Sequence, residues 1–575
     1  PSYGFCIRQT LVDSSGKFSY SLRKYPIVRV LSVVFIISLI LGVIYLIGFR
    51  TKLVPEITSV VPPVGSPGDL VVINGENFGS VRDMSYVEIA GSKLTASSYI
   101  SWSNNCIKIV LPANVQDGLL VVGTKEMRSK PALFANEVEI PVPVPAVQQV
   151  TKPVITMLSS DKLSVGELLV ISGNNFGDSK NQSKVLFTMD CNNKISEADY
   201  KNVALLTENM IPASEDDFDY VSWSNTEISV RVPDGASSGL VIVDTGREKS
   251  DPKEFVVNTE AGRKEYLNKK IYLVEYTADI ADVVTNDIST ITLRCPVPFS
   301  SPAQPQIEIT DVVPEPILVN YQNNLIHQIT RSRNNTPKSV FKQNFVLPVF
   351  EVRTNVNVTK IGNYKNTEKN LLSGALKADT LIPCDDKSVK ELCEKIIGKE
   401  KNPWSKAKFI YDYMCENFSV LSKVRKGDSD PLDLIKKGNG DAYDFAVICT
   451  ALLRAAEIPA YTDSGILVNQ DLQTQTHWWC EFYIDKVGWI PCDPALGAGL
   501  EYKQWTDSDV VDAKNFYFGN MDSHHIMFSR GWSQLKPFSA DSKIVQQPRS
   551  FALQSIWEEA NKDTAKYSSY WSVPV

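Results

Sequence analysis

The chain has 575 residues, of which 43% are apolar and 22% charged, a composition that folds and leaves room for several domains. With 59 Lys and Arg against 66 Asp and Glu, its formal charge of −7 and the lack of a stripe of basic and aromatic residues exclude nucleic-acid binding. Ten cysteines lie scattered from Cys6 to Cys492 with no spacing of a small cross-linked scaffold, and no motif requires a cofactor.

Residues 1–29 form a basic segment, net +4 from Arg8, Lys17, Arg23, Lys24 and Arg29 against Asp13. Residues 30–49 are an uncharged run whose polar side offers only Ser32, Ser38 and Tyr45. At about 1.5 Å per residue, such a run crosses a hydrocarbon layer of roughly 30 Å. The pattern predicts a single transmembrane helix that stays as an anchor. The basic flank predicts a single-pass membrane protein with its N-terminus on the cytoplasmic or inner side and its bulk extracytoplasmic.

Two copies of one unit come next. Gly68-Asp69-Leu70-Val71-Val72-Ile73-Asn74-Gly75-Glu76-Asn77-Phe78-Gly79 repeats at an offset of 98 as Gly166-Glu167-Leu168-Leu169-Val170-Ile171-Ser172-Gly173-Asn174-Asn175-Phe176-Gly177. Further on, Ser101-Trp102-Ser103-Asn104 repeats at an offset of 121 as Ser222-Trp223-Ser224-Asn225, so the second copy carries an insertion. Short strands bounded by Gly, Pro and Asn predict a β-sandwich over residues 50–148 and another over 149–260, with Trp102 and Trp223 in their cores. Both resemble immunoglobulin-like IPT/TIG domains, which implies spacers or adhesive surfaces. The acidic run Glu215-Asp216-Asp217, with Asp219, reads as a solvated loop and a partner contact before a metal site.

Residues 261–360 are again β-rich, and residues 361–575 begin with helices near Lys387–Ile397 and Pro403–Phe418. The basic link after them, with Arg425 among its charges, reads as a solvated loop. Next comes a Gly-rich turn at 438–440, an amphipathic helix carrying Phe445, Ile448, Cys449, Leu452 and Leu453, and two short strands containing His477 and Asp493. A helix N-terminus, an imidazole and a carboxylate are the skeleton of a cysteine nucleophile site, because the helix dipole and the base lower the thiol's pKa and the carboxylate orients the base. The position for that thiol holds Ala442.

Gly440, Phe445, Ala446, Leu452, Leu453, Arg454, Ile458, Pro459, His477, Trp479, Glu481, Trp489, Asp493 and Pro494 resemble, in order, the core of the transglutaminase-like superfamily. The resemblance implies an α+β, papain-like domain over 361–575, buttressed by the β-domain ahead of it. It places the family's cysteine at Ala442, its base at His477 and its orienting carboxylate at Asp493; matched Trp479 and Trp489, and Tyr443 next to Ala442, read as supporting residues. The chain as a whole is therefore expected to be multidomain: one transmembrane helix, two Ig-like β-sandwiches, a further β-domain and the transglutaminase-like domain.

His477 and Asp493 lie 16 residues apart, so they share a sheet face only if the connecting loop contributes an odd count. A three-residue Lys486-Val487-Gly488 turn meets that condition and pairs Asp493 with Glu481. Cys480 then faces away from His477, and Cys449 reads as a buried small residue. His524 and His525 adjoin, face opposite ways and read as structural beside Asp522, so no metal is assigned. Phe551–Ala560 reads as a last helix with Trp571 as a closing anchor; the domains are large enough to do without disulfides, and Cys384 with Cys393 is the first pair to check for one.

Two functional readings compete. In the first, Ala442 is native and the protein is a membrane-tethered pseudoenzyme, a binding or structural component with a protein or peptide partner on the outer side or a place in a larger membrane assembly. In the second, alanine stands where the natural protein has a cysteine that forms a thioester with a peptide or amide substrate.

Overall fold

The computed structural model describes residues 54–575 apart from 113–114, 117, 126, 137–150, 192–206, 208, 333–336, 504 and 506–509; before residue 54 it describes only residues 27, 30 and 33–39. Residues 33–39 are helical, but most of the apolar run at 30–49 lies outside the described residues. Among the described residues no helix is long and apolar enough to cross a membrane. The chain divides into two compact units, residues 1–140 and 141–575.

The first unit is a two-sheet sandwich. One sheet orders Glu56–Val61, Leu70–Glu76, Cys106–Val110 and Tyr99–Trp102; the other contains Tyr86–Ile89, Gly118–Gly123 and Ala132–Asn136. Alternation buries Val71, Ile73, Ile107, Ile109, Leu120 and Val122 between them. The second copy, within the second unit, repeats the order with Val154–Leu158, Leu168–Asn174, Glu227–Arg231 and Tyr220–Trp223.

The repeated turn has one cause in both copies. A Cβ at Gly75 would lie 2.0 Å from the Glu56 carbonyl oxygen and 2.4 Å from Phe78, and one at Gly173 would lie 2.0 Å from the Val154 carbonyl oxygen and 2.3 Å from Phe176. Each Trp caps that turn, Trp102 donating to the Phe78 carbonyl and Trp223 to the Phe176 carbonyl, both at 3.1 Å. The two tryptophans are half-buried at the sandwich edge and pack against its core.

Buried polar contacts join the second sandwich to the β-domain and to the C-terminal core. The acidic stretch expected as a solvated loop is a bonded junction instead. Asp217 accepts from Trp489 Nε1 at 2.8 Å and Arg530 Nη1 at 2.7 Å, while Asp219 is buried and accepts from the Ser214 amide. Asp234 pairs with Lys264.

The β-domain rests on two long strands, Gly262–Thr285 and Ser339–Val356, whose register runs almost their whole length. The C-terminal tract returns to it: Thr564–Trp571 pairs with the first long strand, and Glu558–Ala560 pairs with Ser289–Pro296. Residues 551–560 are therefore not the helix that their composition suggests. Phe551 and Trp557 pack with Tyr276, Phe345 and Phe528 in this core, and partnering an open sheet edge decides their conformation. Trp571 closes the core as expected, 4.9 Å from the Trp557 ring.

The remaining domain packs helices on one antiparallel sheet. Helices α1 (Lys387–Ile397), α2 (Pro403–Asn417) and α3 (Ala442–Ala455) precede strands β1 (Ala460–Val468), β2 (Thr474–Ile484) and β3 (Gly488–Cys492), the helical turn α4 (Pro494–Gly497) and strand β4 (His525–Arg530). The sheet order is β3-β2-β1-β4. Asp386 and Asn402 cap α1 and α2 through their side chains, and Pro403 occupies the first turn of α2. Cys384 and Cys393 are free thiols turned to the carbonyls of Leu376 and Leu452, and they are not joined to each other.

Candidate functional site

Helix α3 begins in a capping box. Asp441 accepts from the Asp444 amide at 3.0 Å, and Asp444 accepts from the Asp441 amide at 2.9 Å. Ala442 is the first helical residue, 6% exposed. Two arginines neutralise the paired carboxylates. Arg549 donates to Asp441 at 2.8 Å and to Asp444 at 2.9 Å, and Arg425 donates to both Asp444 oxygens at 2.7 Å. The basic link thus supplies a clamp at Arg425 where a solvated loop was expected.

The Arg549 guanidinium also lies 4.3 Å over the Tyr443 ring. That ring meets Trp478 edge-on at 5.5 Å, so the chain neighbours of positions 442 and 477 touch. Helix start and central strand are thereby brought together.

His477 on β2 and Asp493, the cap of α4, are both fully buried. His477 Nε2 donates to Asp493 Oδ2 at 2.5 Å, while Asp493 Oδ1 accepts from the Leu496 amide at 2.9 Å. The register differs from the expected one. Ile484 pairs with Gly488 around a three-residue turn and Cys480 pairs with Cys492, which sets Asp493 level with Trp479 rather than Glu481. The loop still has an odd count, so the shared face is kept, and the shorter offset closes the gap to His477.

Gly488 makes the turn possible. Its φ is +102°, and a Cβ there would lie 1.8 Å from the Asp234 carboxylate of the second sandwich.

The sequence reading missed His525. Its Nε2 donates to the same Asp493 oxygen at 3.2 Å, and its Nδ1 meets Asp522 at 2.8 Å. Burial alone favours a neutral ring, but the Asp522 and Asp493 carboxylates outweigh it and push His525 up to about 9. Burial likewise works against charge on both carboxylates, yet the imidazoles hold Asp493 and Asp522 well below the usual range. The signal available beforehand was the Asp522-x-x-His525 spacing, which carried no link to Asp493. His524 faces away and stacks on Trp505 at 4.6 Å.

Trp479 stacks beside His477 at 6.1 Å and meets His525 edge-on at 5.1 Å. A cavity of about 70 Å³ reaches His525, Asp522 and Trp479. Trp489 pairs with Tyr483, six residues along β2 from His477 or about 20 Å, lines the same cavity beside Asp234 and Glu481, and lies under Arg530 at 4.3 Å.

One nitrogen is left over: His477 Nδ1 is buried and makes no hydrogen bond with the described residues. The arrangement provides an imidazole held by a carboxylate, on a strand whose Trp478 touches Tyr443, the residue after Ala442 at the helix start. The next thiol along α3, Cys449, is gathered with Cys480 and Cys492.

Residues 390–494 match the transglutaminase-like superfamily and residues 55–134 match the IPT/TIG domain, so the chain carries both modules. An uncharacterized protein of Haemophilus influenzae is 30% identical over 181 residues, 27% of this chain and 49% of that protein. The uncharacterized protein YebA of Bacillus subtilis is 27% identical over 144 residues, 22% of this chain and 19% of that protein. The chain therefore spans about half the length of the first and less of the second. Among solved structures, a candidate cysteine protease from Cytophaga hutchinsonii aligns at 14% identity and a TM-score of 0.29, over 53% of this chain and 93% of that one. The periplasmic domain of TgpA from Pseudomonas aeruginosa aligns at 15% identity and a TM-score of 0.22, over 37% and 72%.

Proposed function

We propose that this protein is a non-catalytic binding or structural component built on a transglutaminase-like domain, anchored through residues 30–49 with its bulk on the outer side of the membrane. The observation that carries the reading is Ala442 at the first helical position of α3. An alanine methyl cannot attack an acyl carbon. Its neighbours Asp441 and Asp444 are held by Arg549 and Arg425, and burial leaves Tyr443 pushed up to about 12 despite the Arg549 contact, so none replaces the thiol. The second sandwich, bonded to the core through Asp217 and Asp234, gives such a component an extended outer surface for a protein or peptide partner.

A specific observation favours a second reading. The His477–Asp493 pair is intact and His477 Nδ1 has no hydrogen-bond partner among the described residues, as expected if a cysteine belongs at 442 and was exchanged for alanine. One experiment separates them. The protein is exposed to an acyl-transfer or cysteine-directed probe beside A442C, and adducts are located by mass spectrometry. The first reading expects no adduct at 442 or its neighbours in the protein as it stands, and no amide hydrolysis by A442C; turnover by A442C overturns it in favour of the second.

A further inference from the structure

Three thiols converge behind the site from separate elements: Cys449 on α3, Cys480 on β2 and Cys492 on β3. All three sulfurs lie within 4.8 Å of one another, with Cys480 and Cys492 at 3.6 Å. The residues are 1%, 0% and 1% exposed, within the apolar core that holds Phe445, Phe482, Ile490 and Phe518. We propose that this trio is a binding site for copper(I), held by three sulfur ligands in a trigonal arrangement.

The distances fit that geometry. Metal–sulfur bonds of about 2.3 Å in a trigonal plane place the sulfurs about 4 Å apart. Soft sulfur donors select soft ions. Among the described residues no fourth His, Cys, Asp or Glu ligand atom joins the three sulfurs: Cys415 turns its thiol to the Pro494 carbonyl at 3.8 Å, and Asp493 is engaged by its two imidazoles. Zinc, which takes four ligands in structural sites, is left incomplete where three-coordinate copper(I) is not. A disulfide between Cys480 and Cys492 uses two of the sulfurs and leaves the convergence of the third without a role.

On binding, the ion forms three bonds to sulfur and the thiol protons pass to solvent, with no change of oxidation state. Because Cys492 adjoins Asp493 and Cys480 lies three residues from His477, an occupied site pins together the two strands that carry the imidazole–carboxylate pair.

The test uses the full chain, reduced and anaerobic, competing for copper(I) against a chromophoric chelator, with copper counted by elemental analysis. One equivalent per chain is expected, with a higher melting temperature than the copper-free protein. C449A, C480A and C492A should each bind at least about tenfold more weakly, whereas C415A should bind as the parent does. X-ray absorption at the copper edge of the unmutated protein, which needs no variant to fold, should report three sulfur neighbours. The proposal is overturned if the chelator keeps all the copper, if C415A abolishes binding, if fewer than three sulfurs surround the ion, or if peptide mapping of the anaerobic protein finds Cys480 and Cys492 joined.

Discussion

His525 and Asp493, 32 residues apart in the chain, share a buried hydrogen bond of 3.2 Å on the carboxylate oxygen that also holds His477. The family resemblance places one imidazole on this carboxylate, and the fold supplies two. Asp522, which itself accepts from Tyr517 at 2.7 Å, completes the row.

That row makes stability depend on pH. His525 binds its proton more tightly when folded, so its contribution to stability is complete below about 6.5 and is lost as pH rises through about 9. The whole effect is roughly 3 kcal/mol. Urea midpoints measured from pH 6 to 9.5 should fall with rising pH in the parent protein and stay nearly level in H525Q; parallel curves refute the linkage.

Placing a thiol at 442 tests the oriented base. In A442C the new cysteine should alkylate faster at neutral pH than an unactivated thiol, and adding D493N should slow it by at least about tenfold through loss of the imidazole's orientation. Equal alkylation rates in A442C and A442C/D493N would mean that His477 does not act on position 442.

The start of α3 depends on a residue 105 positions beyond Asp444. Truncating Arg549 leaves Asp441 and Asp444, among the described residues, with only Arg425 as their arginine partner, and such a loss costs about 3–5 kcal/mol when the group is buried. R549A should melt markedly earlier, and R549K should recover part of the loss because lysine keeps the charge without the planar fork. A thermal scan of the three proteins decides it.

The junction with the second sandwich makes a further prediction. Arg530 bonds Asp217 at 2.7 Å across 313 residues and also pairs with Glu481. Trp489 adds its indole bond to the same Asp217 carboxylate. W489F, which removes one hydrogen bond and little volume, should cost about 1 kcal/mol, and R530A about 3–5 kcal/mol. Limited proteolysis should release residues 151–258 from R530A sooner than from the parent.

The sequence by itself determined the elements and the family-like positions: the repeated sandwich unit, the capped helices, the strands bearing His477 and Asp493, and the absence of a sulfur at 442. Each is written within a few residues, in periodicity, a cap or a turn. Tertiary structure alone decided that Asp493 stands level with Trp479, that His525 joins it, that Arg549 and Arg425 close over the helix start, that residues 558–560 become a strand, and that Cys449, Cys480 and Cys492 meet. These depend on register and on docking between elements far apart in the chain. A shift of one residue or a different sheet edge would undo any of them without changing a local pattern.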